Sequence, residues 1–255
     1  MRYLTYSSFI KAIFIPSFQR LIQQPILKGY CCVSPVVHKV KQSAHAADTD
    51  FYKNKVDPFS ALIDSMLQGI PLSSWVRQEK VRQSQKTLQN CIGNFHQSII
   101  ASFDGWEDLG TGKIIDLRNN KRQIIAEIKN KYNTTKGSHK IQIYRDIKAT
   151  LDQPDHKEFI GYYVEIIPSG HGIKTLYDKP FVPSDNTKSG ERMIARDDIR
   201  LIDGRSFYKI VTGAEDALYQ LYKGLPEMIR RALNDGSIKP ENEDLFSVLF
   251  EKVFT

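Results

Sequence analysis

IIDLRNNKRQIIAEIKNK, residues 114–131, decides how this chain is read. Two short apolar runs flank Asn119 and Asn120, the turn chemistry of a β-hairpin. With residues 119–122 as the loop, Arg118 faces Gln123, Asp116 faces Ile125 and Glu127 faces Ile114. Side chains alternate faces along a strand, and residues opposite one another share a face. Asp116, Glu127 and Lys129 therefore project to one side. Any even-length loop preserves that parity, and here it sets Glu127 one diagonal step from Asp116.

Two carboxylates converging on a point repel unless a proton or cation relieves them, and hard oxygen ligands suit Mg²⁺, which also binds phosphate. Lys129 adds a point charge beside the pair. It can orient or deprotonate an attacking water and offset charge that develops on a phosphoryl group. Glu-Ile-Lys alone is a common solvated alternation. What raises it here is the matching Asp116, the apolar IIA run at 124–126, and the basic KNKYNTTKGSHK at 129–140. Between Lys113 and Lys148 ten Lys or Arg stand against three acids.

The whole chain of 255 residues carries a formal charge of +7, but residues 1–47 hold six Lys or Arg and no acid, so the remainder is close to neutral. The basic balance that points to nucleic acid is local, around the hairpin. With 41% hydrophobic and 25% charged residues, the composition is that of a globular protein with a sizeable core. Three cysteines, two adjacent at Cys31 and Cys32 and one at Cys91, offer neither a disulfide framework nor zinc spacing, which fits a reducing cytoplasm. No apolar run is long enough to span a membrane.

Residues 1–47, broken by Pro16, Pro25 and Pro35, read as a transit-like segment, a stretch translated upstream of the true start, or a flexible basic arm. Residues 48–255 read as one domain. Around the hairpin the periodicity predicts helices at 57–70 (capped by Asp57), 73–103 (capped by serine) and 138–153, with Ile141, Ile143, Tyr144, Ile147 and Leu151 as the buried stripe of the last. A strand follows at 159–168, then a surface loop at 179–200. Residues 200–213 read as a strand, an Asp-Gly turn and a further element, and helices span 214–235 and 240–254. GTGK at 110–113 is no phosphate loop, because Glu107 and Ile114 occupy the places of its first glycine and its Ser or Thr. His139 and His171 stand apart from any ligand or triad spacing.

The order of helix, hairpin, helix and strand resembles the PD-(D/E)xK nuclease core, an α/β fold with a mixed central sheet. FYKNKVDPFSALI (51–63), QEKVRQSQKTLQNCIGNFHQ (78–97), GWEDLGTG (105–112), IIAEIKNKYNTTKGSHK (124–140), GYYVEIIP (161–168) and KPFVPSDN (179–186) look like the type II restriction endonucleases that cut GGNCC or close relatives of that site. The resemblance covers about residues 50–215. It implies Mg²⁺-dependent hydrolysis of double-stranded DNA to 5′-phosphate ends, a homodimer matching the palindrome, and a cognate DNA methyltransferase. It assigns the metal ligands to Asp116 and Glu127 and the catalytic lysine to Lys129. Ile115 stands where the superfamily form has proline, so Asp108 is kept as a reserve ligand. Glu79 is a candidate helical acid.

Guanine edges are read best by Arg or Lys. The polar segment offers Lys188, Arg192, Arg196 and Arg200 beside Asn186 as base readers, and Lys131, Lys136 and Lys140 are placed for phosphates. Three rivals stay open: a repair or recombination nuclease without sequence preference, a catalytically silent DNA-binding protein, and an organellar protein if residues 1–47 are a transit peptide.

Overall fold

The computed structural model describes residues 16–49, 51–53, 55–110, 114–170, 176–185, 191–234 and 243–254. Helices α1 (Pro16–Thr49), α2 (Pro58–Leu67) and α3 (Leu72–Ala101) precede strands β1 (Glu107–Asp108), β2 (Leu117–Asn119) and β3 (Ile124–Lys131). Then come α4 (Gly137–Leu151), β4 (Ile160–Ile167), β5 (Asp178–Pro180), β6 (Ser184–Asp185), β7 (Glu191–Arg192) and β8 (Ile199–Asp203). Helices α5 (Gly204–Thr212), α6 (Ala217–Leu233) and α7 (Glu243–Phe254) follow. Among the described residues no helix is long and apolar enough to cross a membrane.

Six strands form one mixed sheet in the order β1-β2-β3-β4-β8-β5, with β3, β4 and β8 parallel and the outer pairings antiparallel. The central strands are buried on both faces, so β3 and β4 read as apolar runs. Ile124, Ala126 and Ile128 of β3 and Tyr162, Val164 and Ile166 of β4 point to one face, where Phe95, Ile99 and Ile100 of α3 and Phe207 and Tyr208 of α5 cover them. Ile125 and Tyr163 point to the other face, under Ile143, Tyr144, Ile147 and Leu151 of α4. That stripe is the one the periodicity predicts. Gly161 lets α4 seat there, since a Cβ at this position would lie 2.3 Å from Ile147 Cγ2.

The segment 1–47, set apart on composition, divides. Residues 16–49 form a helix that runs through Pro25 and Pro35 and packs along α3 and α6, while residues 1–15 lie outside the described residues. Val33 is 3% exposed in the main core, and Cys32, Val36 and Val37 pack against it. An internal proline forgoes a backbone bond and costs about 3 kcal/mol, and burial of a valine face is what offsets it. Pro226 inside α6 is tolerated in the same way.

Other boundaries shift for local reasons. Asp57 caps α2 as expected, its Oδ1 accepting from the Phe59 amide at 2.9 Å. In contrast α3 begins at Leu72, after Pro71, without a side-chain cap. The 179–200 loop contains β5 and the β6–β7 hairpin. Asp203-Gly204 is a helix start rather than a turn, with Asp203 accepting from the Ser206 amide at 3.0 Å.

His96 of α3 is buried between Phe95 and Tyr208, its Nδ1 2.8 Å from the Tyr208 hydroxyl. Burial pushes its pKa down to about 4. The neutral ring is the folded form, so its contribution is fully present above the ordinary value near 6.5 and is lost as pH falls toward 4. The loss is about 3 kcal/mol. Urea unfolding at pH 7.5 and 4.5 should show His96→Gln with a shallower pH dependence than wild type. Parallel dependences would exclude this residue as the source.

Candidate active site

The hairpin places its charged residues closer together than the first register implies. Asn119 faces Ile124 and Leu117 faces Ala126, so the loop is 120–123 and Asp116, just before β2, is level with Glu127. The two-residue shift keeps the parity. It follows from the turn: Gln123 takes a left-handed φ of 55°, and Asn119 Oδ1 accepts from the Arg122 amide at 2.9 Å. These bonds close the turn two residues beyond the obvious Asn-Asn centre.

Asp116 is held at its backbone and its side chain. Its carbonyl accepts from the Leu109 amide at 2.9 Å, and Oδ2 accepts from the Ile128 amide at 2.8 Å. The carboxylate replaces the ladder partner that β3 loses where β2 starts. Glu127, 8% exposed, lies beside it. Burial first, and then repulsion from Asp116, push the Glu127 carboxyl up to about 7 against the pull of Lys129. Lys129 Nζ donates to Glu127 Oε1 at 2.6 Å. A pair of carboxylates in contact, Glu127 buried and Asp116 half-buried, one disposed to hold a proton, is a donor set that a divalent cation relieves. Among the described residues no cluster of three or more metal-binding side chains occurs, so protein ligands alone would leave most of a cation's positions to water and substrate.

On the same face, at the carboxyl ends of the parallel strands, lies a second buried group that the periodicity missed. Glu165 of β4 is 2% exposed and is the register partner of Lys129 and of Asp203. Its Oε1 accepts from Lys140 Nζ at 2.7 Å and its Oε2 from the Tyr177 hydroxyl at 2.5 Å. Asp203, fully buried, accepts from the Tyr177 amide and the Ser206 hydroxyl. The available signal was a lone acid in the otherwise apolar GYYVEII (161–167).

The reserve acids do not join the pair. Asp108 faces Leu117, hence the row of Ala126 rather than of Glu127, and its exposed carboxylate accepts from the Gly110 amide. Glu79 lies far up α3 and bonds Arg82 at 2.6 Å and Gln83 at 3.1 Å. Sixteen residues separate it from Phe95, about 24 Å along a helix.

The proposed DNA contacts also separate. Lys131 and Lys136 are exposed beside the site, whereas Lys140 is turned inward onto Glu165. Arg196 is taken by Asp152 at 2.7 Å and Asp198 at 2.6 Å, and Arg200 by the carboxylate and carbonyl of Asp178. Asp152 and Asp178 are distant in sequence, which the local pattern of a polar loop does not reveal, whereas Asp198 is two residues from Arg196. Arg192 is exposed on β7 opposite Ser184, whose carbonyl closely approaches Gly137 at the start of α4. Asn186 and Lys188 lie outside the described residues.

The family model described as Eco47II restriction endonuclease matches residues 25–234. The chain is 41% identical over 207 residues to the type II restriction enzyme Eco47II of Escherichia coli, covering 80% of this chain and 84% of that protein. It is 30% identical over 196 residues to the type II restriction enzyme Sau96I of Staphylococcus aureus, covering 76% and 74%. The match takes in the hairpin, the sheet and most of α1. The chain belongs to the Eco47II restriction endonuclease family and is a type II, site-specific restriction endonuclease.

Proposed function

We propose that this endonuclease hydrolyses both strands of double-stranded DNA at GGNCC in a Mg²⁺-dependent reaction that leaves 5′-phosphate ends, with Asp116, Glu127 and Lys129 as its catalytic set. The observation that carries the reading is the contact of the three on one sheet face, Asp116 level with Glu127 and Lys129 Nζ 2.6 Å from Glu127. Asp116 and Glu127 would hold the Mg²⁺, which when bound supplies Lewis-acid polarisation of the phosphoryl oxygen and a more acidic water. Asp116 is kept in place by the Ile128 amide. Lys129 orients the attacking water and offsets negative charge building on the phosphate.

Lys131 and Lys136, exposed beside these residues, meet backbone phosphates, and Arg192 on its hairpin at the start of α4 reads guanine. A palindrome cut in both strands calls for two such sites, supplied most simply by a homodimer. Large apolar side chains left at the surface of α2 (Phe59, Met66, Leu67) and α7 (Leu245, Leu249) offer area for a second copy. A cognate methyltransferase protects the host's own sites.

Plasmid DNA incubated in Mg²⁺ and in EDTA, with the ends sequenced, tests this. Discrete ends at GGNCC in Mg²⁺ alone are expected, and Arg192→Ala should relax or weaken cutting there, by about 10-fold or more for one lost bidentate contact. Ends without sequence preference would point to a structure-reading nuclease. Binding without cutting would point to a silent DNA-binding protein, and an unchanged Arg192→Ala pattern would remove that residue from base reading.

A further inference from the structure

The Lys129 ammonium has two carboxylates within its reach. Glu127 lies two residues earlier on β3, and Glu165 is its register partner on β4, on the same sheet face. Neighbouring strands are about 4.8 Å apart, well within the span of a lysine side chain. Glu165 is the more deeply buried acid, with its side chain 2% exposed against 11% for Glu127. A buried carboxylate left without donors takes any cation it can reach, because unpaired charge is costly there. Lys129 nevertheless bonds Glu127, since the charge of Glu165 is already offset by Lys140 at 2.7 Å on one oxygen and each oxygen has a donor, the other taking the Tyr177 hydroxyl at 2.5 Å. Lys140 is correspondingly withdrawn from solvent, its side chain 24% exposed and its Nζ 5.4 Å from the Tyr163 ring centre.

We propose that Lys140 is a positioning residue for cleavage, which by neutralising Glu165 keeps Lys129 on Glu127. Glu165 is thus a competitor for the catalytic lysine, held in check from α4. The inference rests on the role given to Lys129 under Proposed function, and it turns the expected phosphate contact of Lys140 into an interior one.

Lys140→Met, of similar length and without charge, should lower kcat by about 100-fold with KM for a GGNCC duplex changed less than about threefold. Adding Glu165→Gln removes the competing charge and should return kcat to within about tenfold of wild type. A crystal structure of Lys140→Met should show Lys129 Nζ bonded to Glu165. Tyr177→Phe, which frees the other Glu165 oxygen, should give a smaller loss of kcat with the same rescue, and serves if Lys140→Met does not fold. A raised KM with no rescue by Glu165→Gln would assign Lys140 to DNA phosphate and overturn the proposal. Failure of wild type to cut, or cutting by Glu127→Ala, would instead sink the reading of the catalytic set. In that case the crystal structure still decides, since Lys129 remaining on Glu127 in Lys140→Met overturns the positioning role.

Discussion

Glu127→Gln and Lys129→Ala are each expected to lower kcat by at least about 1,000-fold, or about 4 kcal/mol of transition-state stabilisation, while the fold is kept. Glutamine preserves the volume of Glu127 but removes the charge that repels Asp116. The pair is under electrostatic strain, shown by a Glu127 carboxyl pushed up to about 7 by burial and by its neighbour. Neutralising it relieves that strain, so the thermal midpoint of Glu127→Gln at pH 8 should be unchanged or higher than wild type. Loss of activity together with retained stability is the mark of a residue kept for chemistry rather than packing. Single-turnover cleavage beside thermal unfolding measures both. A Glu127→Gln enzyme that still cuts would exclude this carboxylate from the reaction, and one that melts well below wild type would make it structural.

Removing α1 should have an effect as large on folding. A chain begun at residue 25 keeps the segment that carries Val33, Val36 and Val37, whereas one begun at residue 50 uncovers the faces of α3 and α6 on which they pack. Losing three buried or half-buried valines and exposing their partners costs roughly 5 kcal/mol or more, comparable to the whole stability of a domain, about 5–15 kcal/mol. The shorter chain is expected in the insoluble fraction, or soluble without a cooperative melt. If it melted like the longer one, α1 would be peripheral after all.

The fold of α1 is not written in its local sequence. Helix α1 carries no acid before Asp48 and has prolines at 16, 25 and 35, both signals of an unfolded leader. Only the tertiary contact of its valines with α3 and α6 makes a helix there worth its broken backbone bonds. The shared face of the hairpin's charged residues was legible because period-two alternation is a local property: Asp116, Glu127 and Lys129 fall on one side in any even-length loop. The hairpin's register was not, since it depends on the left-handed Gln123 and the Asn119 side chain, neither of which announces itself as Asn-Gly would. Asp108 falls in the row of Ala126, because the pairing of β1 with β2 is not set by local alternation. The basic candidates divided for the same reason. Arg196, Arg200 and Lys140 are bound by Asp152, Asp178 and Glu165, partners brought near only by the tertiary fold.

Ile115 occupies the place in front of the first acid that proline holds in the related nucleases' pattern. A proline ring there would fix the backbone of the residue before the carboxylate at no cost in contacts. Here Ile115 is 3% exposed in the core beneath α4, and the carbonyl of Asp116 is tied to Leu109 while its carboxylate is tied to Ile128. Rigidity at this point is thus a property of the assembled core and not of the covalent chain. The site is therefore coupled to packing: any change that loosens the core under α4 also unfixes the carboxylate, so cleavage activity should decay with temperature before the global melt.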